Sequence, residues 1–134
     1  MLRPAVPADL KLLLALRDGS GDDALSDPTL VTEAELRRLI AAGAVSVSEE
    51  DGTVAGFVAV ADGAIQLLVD PAQRSKGIGR ELLAAACAAV KEAGHISATL
   101  TLAPGGTAER HYRAAGWCEA GRTAAGGVVL KKPF

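Results

Sequence analysis

The sequence is poor in aromatic residues and cysteine and contains no asparagine. Aromatic side chains make up 3% of its 134 residues, with one tryptophan and one tyrosine. Its two cysteines have no metal-ligand spacing and make no disulfide framework. No apolar run approaches the roughly 20 residues that a membrane-spanning helix needs, and the N-terminus does not resemble a secretory signal. We therefore expect a cytoplasmic protein with no metal site and no membrane partner.

Charge and size favour a single globular domain. The chain has 14 basic and 16 acidic residues, a net charge of −2, and the two signs are interspersed. This distribution lacks the basic patch that a nucleic-acid surface requires. With 134 residues, 49% of them hydrophobic, the sequence can bury one core but not two. We expect one domain spanning residues 1–134 and no nucleic-acid partner.

Two helices are predicted near the N-terminus. Residues 7–16 carry apolar side chains at helical spacing, and residues 32–42 begin with a capping-box pattern. Residues 18–28, which are rich in aspartate and glycine, are interpreted as a mobile loop between the helices and not as a domain linker.

Three antiparallel strands are predicted next. The β-prone runs are residues 44–48, 54–61 and 65–69. They are separated by Asp51-Gly52 and Asp62-Gly63, and Asp-Gly between apolar runs is a strong hairpin signal. The sequence therefore indicates a meander of consecutive strands.

The second half alternates helices and strands. An apolar stripe at four-residue steps over residues 78–90 predicts the longest helix, which ends near Gly94. The further predictions are a strand at 96–103, a helix at 107–115, and strands at 117–122 and 127–131. A strand, helix and strand in one sheet normally give parallel neighbours, so we expect a mixed sheet.

A glycine-containing loop lies between the third predicted strand and the longest helix. Its sequence is RSKGIG at residues 74–79. The first N–H groups of a helix have no internal partner, and the helix dipole favours negative charge there. Gly77 and Gly79 carry no Cβ atom, so ligand oxygens can approach the backbone closely. The loop lacks the ending of a P-loop and the third glycine of a dinucleotide fingerprint. A different phosphate-containing ligand is indicated.

The pattern Arg-x-x-Gly-x-Gly, preceded by Leu68-Val69-Asp70-Pro71, resembles the coenzyme A loop of the GNAT family of N-acetyltransferases. Residues 108–117 are similar to a second family stretch, Ala-x-x-x-Tyr-x-x-x-Gly-aromatic. The resemblance implies an α/β fold with a mixed, mostly antiparallel sheet of six or seven strands flanked by about four helices. It also implies acetyl-CoA as co-substrate, direct acetyl transfer to a primary amine, no metal, and a possible homodimer.

The resemblance also assigns cofactor-binding residues. In this family the fourth and fifth strands splay apart, and the pantetheine arm of coenzyme A pairs with the exposed backbone of the fourth strand. The pyrophosphate lies on amides at the start of the following helix, and basic side chains of the loop add positive charge. The corresponding residues here are Leu67, Leu68, Val69, Arg74, Ser75, Lys76, Gly77, Ile78, Gly79 and Arg80.

Tyr112 is the predicted catalytic residue, by the same resemblance. The matching tyrosine of the family commonly protonates the coenzyme A thiolate, and a phenol with an ordinary pKa of about 10 suits such a general-acid step. A core aromatic on an amphipathic helix is the alternative interpretation. His111 beside it is interpreted as a satisfied or solvent-facing histidine, and Cys87 as a buried, inert thiol.

Two departures from the family pattern leave the function partly open. Gly105 stands where the family often has an asparagine that contacts the cofactor. Thr99 and Thr101 stand on the fifth strand, where many members have a glutamate base. A non-catalytic acyl-CoA-binding sensor or partner module is therefore an alternative, and a nucleotide-binding regulator is a third hypothesis. The acceptor stays open among small-molecule amines, peptide N-termini and lysine side chains.

Overall fold

The computed structural model describes residues 1–19, 24–73, 77–104 and 108–134. Seven strands in these ranges form one sheet. They are β1 Leu2–Pro4, β2 Val45–Glu50, β3 Thr53–Ala61, β4 Ala64–Val69, β5 Ser97–Leu102, β6 Cys118–Arg122 and β7 Val128–Pro133. Their order across the sheet is β1-β2-β3-β4-β5-β7-β6. Only β4 and β5 pair in parallel, so the predicted mixed, mostly antiparallel sheet is confirmed.

Four α-helices occur in the described ranges, together with three short 3₁₀ turns. The helices are α1 Leu10–Asp18, α2 Glu33–Ala41, α3 Ile78–Glu92 and α4 Glu109–Ala114, and the turns are Pro7–Asp9, Pro28–Leu30 and Pro71–Gln73. Thr32 caps α2, because its Oγ1 accepts a hydrogen bond from the Glu35 N–H at 3.2 Å. The predicted helices are therefore confirmed, with end points that differ by a few residues.

The two Asp-Gly hairpins form as predicted. Asp51 and Gly52 have φ angles of 52° and 78°, and Asp62 and Gly63 have φ angles of 51° and 83°. Positive φ at both central residues is the requirement of a type I′ turn, which glycine and aspartate tolerate better than most residues. These turns set the register of β2, β3 and β4.

Two apolar layers cover the two faces of the sheet. One packs α3 and α4 against the alternate β4 residues Ile65, Leu67 and Val69. The other packs α1 and α2 against the opposite face, which includes Leu68. The predicted helical stripe is confirmed, since Ile78, Leu82, Ala86 and Val90 are all buried.

Strand β1 was not predicted from the sequence pattern. It has three residues, too few to show an alternation, and it pairs with β2 at the sheet edge, where Pro4 lies opposite Ser46. Proline is tolerated there because an edge strand does not need every N–H for the ladder.

Candidate functional site

Strands β4 and β5 separate soon after they begin to pair. Their ladder contains only two residue pairs, Ala64 with Thr99 and Ile65 with Leu100. Beyond Ile65, β4 runs on to Val69, and no strand of the described ranges pairs with it on the β5 side. We call the space between the two strands beyond this residue the gap. A gap inside a sheet exposes N–H and C=O groups that need partners.

Backbone direction along β4 decides which residues face the gap. Leu67 faces the gap, since its N–H and C=O both form hydrogen bonds with the side chain of Ser26, which lies on that side. Polar groups alternate along a strand, so Val69 faces the gap too. The Leu68 carbonyl points the other way, toward β3, where it would lie 2.9 Å from a Cβ atom on Gly56. Of the three predicted β4 residues, Leu67 and Val69 therefore turn their backbone N–H and C=O groups toward the gap.

The predicted phosphate loop leads into α3. Arg74, Ser75 and Lys76 lie outside the described residues. Gly77 is the N-cap of α3 with a φ of +80°, a left-handed conformation that favours glycine. Among the described residues, and apart from its chain neighbours and its own helix backbone, no atom lies within 4 Å of the position that a Cβ atom on Gly77 would take.

The first turn of α3 continues this site. Ile78 is a core residue at 8% exposure, so its side chain belongs to the apolar layer and only its amide is offered. Gly79 and Arg80 line the cleft beside the gap. A Cβ atom on Gly79 would lie 3.1 Å from Cδ1 of Leu25 and 3.7 Å from Cγ2 of Val69. The start of α3 and the gap-facing part of β4 are thus in close contact.

Tyr112 lies on α4 and reaches the same place. Its side chain is 1% exposed, and its ring packs edge-to-face on Trp117 with centroids 5.8 Å apart. The Tyr112 hydroxyl donates a hydrogen bond to the Leu25 carbonyl at 2.8 Å. The two interpretations of this residue therefore share one geometry, because the ring belongs to the core while the hydroxyl reaches the edge of the gap.

A cleft of about 600 Å³ joins these features. Among the predicted residues, it is lined by Leu67, Val69, Gly77, Gly79, Arg80 and Tyr112. The cleft lies between α3 and α4, over the side chains that β4 turns toward these helices. The structure thus brings together residues that lie up to 45 positions apart in sequence.

Cys87 and His111 also line this cleft. Burial raises the pKa of the Cys87 thiol, which agrees with an inert side chain. His111 is exposed and makes an edge contact with the Tyr112 ring. Among the hydrogen bonds that the structure describes, none joins Cys87 to His111, so the two do not form a nucleophile and base pair there.

Sequence reasoning missed Leu25, Ser26 and Lys132. Residues 24–27 are buried or half-buried beside the gap, and this differs from the interpretation of residues 18–28 as a mobile loop. Lys132 on β7 lines the cleft and donates a hydrogen bond to the Ala115 carbonyl, at the end of α4, at 3.2 Å. No sequence signal marks these three residues, because their positions depend on contacts between distant elements.

Two further observations bound the site. Across the described residues, no three His, Cys, Asp or Glu side chains cluster so that they could hold a metal ion. In the same part of the chain, no helix has the length and apolar character needed to cross a membrane.

A family model described as an acetyltransferase (GNAT) domain matches residues 41–119. This match covers more than half of the chain and includes every predicted site residue. The chain therefore belongs to the GNAT family of acetyltransferases, which use acetyl-CoA for acyl transfer.

Solved structures of acetyltransferases share the fold. The ribosomal-protein-alanine N-acetyltransferase of Brucella melitensis has a TM-score of 0.76 at 22% identity, over 100% of this chain and 99% of that chain. PaiA N-acetyltransferase of Thermoplasma acidophilum, in complex with coenzyme A, has a TM-score of 0.72 at 16% identity, over 100% of this chain and 98% of that chain. N-acetylglutamate synthase of Neisseria gonorrhoeae, complexed with coenzyme A and N-acetyl-glutamate, has a TM-score of 0.80 at 19% identity, over 99% of this chain and 34% of that chain. No curated protein sequence matches the chain.

Proposed function

We propose that the protein transfers an acetyl group directly from acetyl-CoA to a primary amine. The observation that carries this proposal is one shared cleft that is lined by Leu67 and Val69 of β4, the start of α3 and Tyr112. Each of these is a part that the reaction needs: a place for the thioester, a place for the pyrophosphate, and a proton donor. The activity is proposed for one domain of residues 1–134.

Cofactor binding would use backbone groups on two elements. The pantetheine arm pairs with Leu67 and Val69, in the manner of an added strand. The pyrophosphate lies on the first amides of α3, from Gly77 to Arg80, where unpaired N–H groups and the helix dipole favour an anion. The predicted contributions of Arg74, Ser75 and Lys76 complete this part of the proposal from the sequence alone.

Acetyl transfer proceeds through a tetrahedral intermediate. The Leu67 N–H polarises the thioester carbonyl, and the neutral amine forms a bond to the carbonyl carbon. The intermediate then collapses, the C–S bond breaks, and Tyr112 donates its proton to the departing thiolate. The amine nitrogen releases its own proton to water, since β5 offers only the hydroxyls of Thr99 and Thr101 where a carboxylate base is common. The Tyr112 phenolate then regains a proton from water, so that the protons balance over one turnover.

A thiol-release assay tests this function. The protein is mixed with acetyl-CoA and a panel of small-molecule amines, peptides with free N-termini and lysine peptides, and the product is identified by its mass. We expect one acceptor class to release thiol in step with a 42 Da increase in product mass, the mass of an added acetyl group. Binding of acetyl-CoA without any turnover on the panel would favour the alternative function, a non-catalytic acyl-CoA-binding module.

Tyr112→Phe tests the acid role on the accepted amine. The variant keeps the ring packed on Trp117 and removes only the hydroxyl. We expect kcat to fall by roughly 10²-fold or more, with acetyl-CoA affinity changed little by comparison. Turnover at the parent rate, with chemistry rate-limiting, would show that water or another group protonates the thiolate.

A further inference from the structure

A short segment of the chain occupies the gap between β4 and β5. It follows α1 and precedes the turn Pro28–Leu30, and we call its residues 25–27 the plug. Ser26 and Asp27 in the plug are 3% and 7% exposed, although both are polar. Buried polar residues need hydrogen-bond partners, and the partners here are the two walls of the gap.

Ser26 satisfies both backbone groups of Leu67. Its Oγ accepts a hydrogen bond from the Leu67 N–H at 3.0 Å and donates one to the Leu67 carbonyl at 3.1 Å. On the other wall, the Asp27 N–H donates to the Thr101 carbonyl at 2.7 Å. The plug therefore replaces part of the ladder that β4 and β5 do not make with each other.

Leu25 extends the same contact to the rest of the site. Its carbonyl accepts the hydrogen bond of the Tyr112 hydroxyl at 2.8 Å. Its Cδ1 atom lies in van der Waals range of Gly79, since a Cβ atom there would be only 3.1 Å away. Three consecutive residues thus contact the backbone of β4 and β5, the proposed acid and the start of α3.

We propose that the plug is an autoinhibitory contact that acetyl-CoA must displace from the acyl end of its own site. The inference rests on the proposed function. The Leu67 N–H cannot bond fully to the Ser26 hydroxyl and to a thioester carbonyl at the same time. Likewise, a Tyr112 proton that is donated to the Leu25 carbonyl cannot at the same time be donated to a thiolate. Displacement frees the polarising N–H and the acid in one movement.

The plug is expected to lower the apparent affinity for acetyl-CoA. In the empty protein the plug removes the penalty of unpaired backbone groups in the gap, so the closed form is favoured. A ligand that binds only the open form has its apparent affinity lowered by the fraction of open molecules. Weakening the plug must therefore tighten the binding of acetyl-CoA, whereas weakening an ordinary binding residue would loosen it.

Ser26→Ala makes this difference measurable. The variant removes both hydrogen bonds to Leu67 and adds no bulk. We expect acetyl-CoA to bind about five-fold tighter or more by calorimetry, with a lower melting temperature of the empty protein. Ser48→Ala is the matched control, because Ser48 is also buried, at 1% exposure, but lies on β2 away from the gap. Its acetyl-CoA affinity should equal that of the parent.

A fragment of the cofactor provides a second control. Adenosine 3′,5′-bisphosphate carries the nucleotide end of coenzyme A but no pantetheine arm, so it does not compete with Ser26 for the backbone of Leu67. We expect it to bind the parent and Ser26→Ala with equal affinity. A general loosening of the fold would instead change the binding of both ligands.

Asp27→Pro removes the N–H that donates to Thr101, and a φ of −68° at Asp27 is compatible with the proline ring. Asp27→Ala keeps this N–H but loses the side-chain bonds to Thr29, so it controls for the carboxylate. Acetyl-CoA should bind tighter to the proline variant than to the alanine variant.

The outcomes separate the plug from the proposed function. Unchanged or weaker binding of acetyl-CoA to both Ser26→Ala and Asp27→Pro, in folded protein, would overturn the plug while leaving the acetyltransferase proposal standing. Failure of the parent and of both variants to bind acetyl-CoA would overturn both proposals. Trp117, the single tryptophan, packs on Tyr112 and reports the binding step by its fluorescence.

Discussion

Gly77 and Gly79 both lie in the proposed pyrophosphate site, but the structure predicts different consequences when each is replaced. Gly77 has a φ of +80°, and none of the described residues beyond its neighbours in the chain and its own helix backbone crowds the position of a Cβ atom there. Gly79 lies inside the first turn of α3, and a Cβ atom there would meet Leu25 at 3.1 Å. The first glycine is needed for its backbone conformation, and the second for close approach.

The expected changes in stability follow from this difference. Gly77→Ala forces a non-glycine residue into the left-handed region and costs about 1–2 kcal/mol, which lowers the melting temperature of a chain of this size by about 3–8 °C. Gly79→Ala gains up to about 1 kcal/mol of helix propensity. That gain is partly offset, because the end of the Leu25 side chain has to move by a few tenths of an ångström. Its melting temperature should stay near that of the parent.

For cofactor binding the order is reversed: replacing Gly79 should reduce acetyl-CoA affinity more than replacing Gly77. Gly79→Val adds a branched side chain beside Leu25 and Val69, at the proposed pyrophosphate site. We expect acetyl-CoA affinity to fall by at least about 10²-fold, which corresponds to about 2.7 kcal/mol, while the domain stays folded. Calorimetry with acetyl-CoA and thermal unfolding of the empty protein give the two quantities.

Gly121→Val is the control for this experiment. Gly121 lies on the edge strand β6, and in the part of the chain that the structure describes no atom beyond its chain neighbours lies within 4 Å of the position of its Cβ atom. The Gly121→Val variant should bind acetyl-CoA with the same affinity as the parent. A folded Gly79→Val variant that binds acetyl-CoA as tightly as the parent would remove the start of α3 from the cofactor site.

Two further predictions concern acid stability and thiol reactivity. Arg3 forms two hydrogen bonds to the buried Asp9 carboxylate, at 2.9 and 3.0 Å, and holds the pKa of Asp9 below its usual value. A lowered pKa stabilises the fold above the unfolded value of about 3.9, and this contribution is lost as the pH falls through the folded value. Asp9→Asn should therefore lower the free energy of unfolding by about 2 kcal/mol at pH 7. In urea unfolding, the difference in this free energy between parent and variant should shrink below about pH 4. A difference that stays constant with pH would contradict the ion pair. Iodoacetamide should modify the exposed Cys118 before Cys87, whose pKa is raised by burial. Saturating acetyl-CoA should slow only Cys87, as peptide mass analysis would show, because that thiol lines the cleft.

Local signals in the sequence were sufficient to predict most of the fold. The Asp-Gly turns depend on two adjacent residues, and the α3 stripe depends on the helical period, so each is decided within a short stretch of chain. β1 was missed because its three residues form a strand only through pairing with β2, which follows about 40 positions later. Contacts of this kind leave no periodic pattern in the sequence.

The candidate site was predicted less completely than the fold. The resemblance to the GNAT family pointed to residues 67–69, 74–80 and Tyr112, but it could not distinguish Leu67 and Val69 from Leu68. That distinction follows from the alternation of backbone groups along β4 once its pairing with β3 is known. The residues 74–76 lie outside the described ranges, so their role stays a prediction.

The plug illustrates why such a contact escapes sequence reasoning. Serine among aspartates and glycines is typical of an exposed loop, because its hydroxyl readily bonds to water or to its own backbone. Ser26 instead bonds to Leu67, 41 positions away, since the divergence of β4 from β5 leaves a donor and an acceptor side by side. One hydroxyl group can satisfy both, because it donates and accepts at once. The same pair of backbone groups is what an extended ligand would use to bind β4. A site that binds its ligand through unpaired backbone groups therefore needs either water or a part of its own chain there when the ligand is absent, and in this protein the chain itself occupies the position.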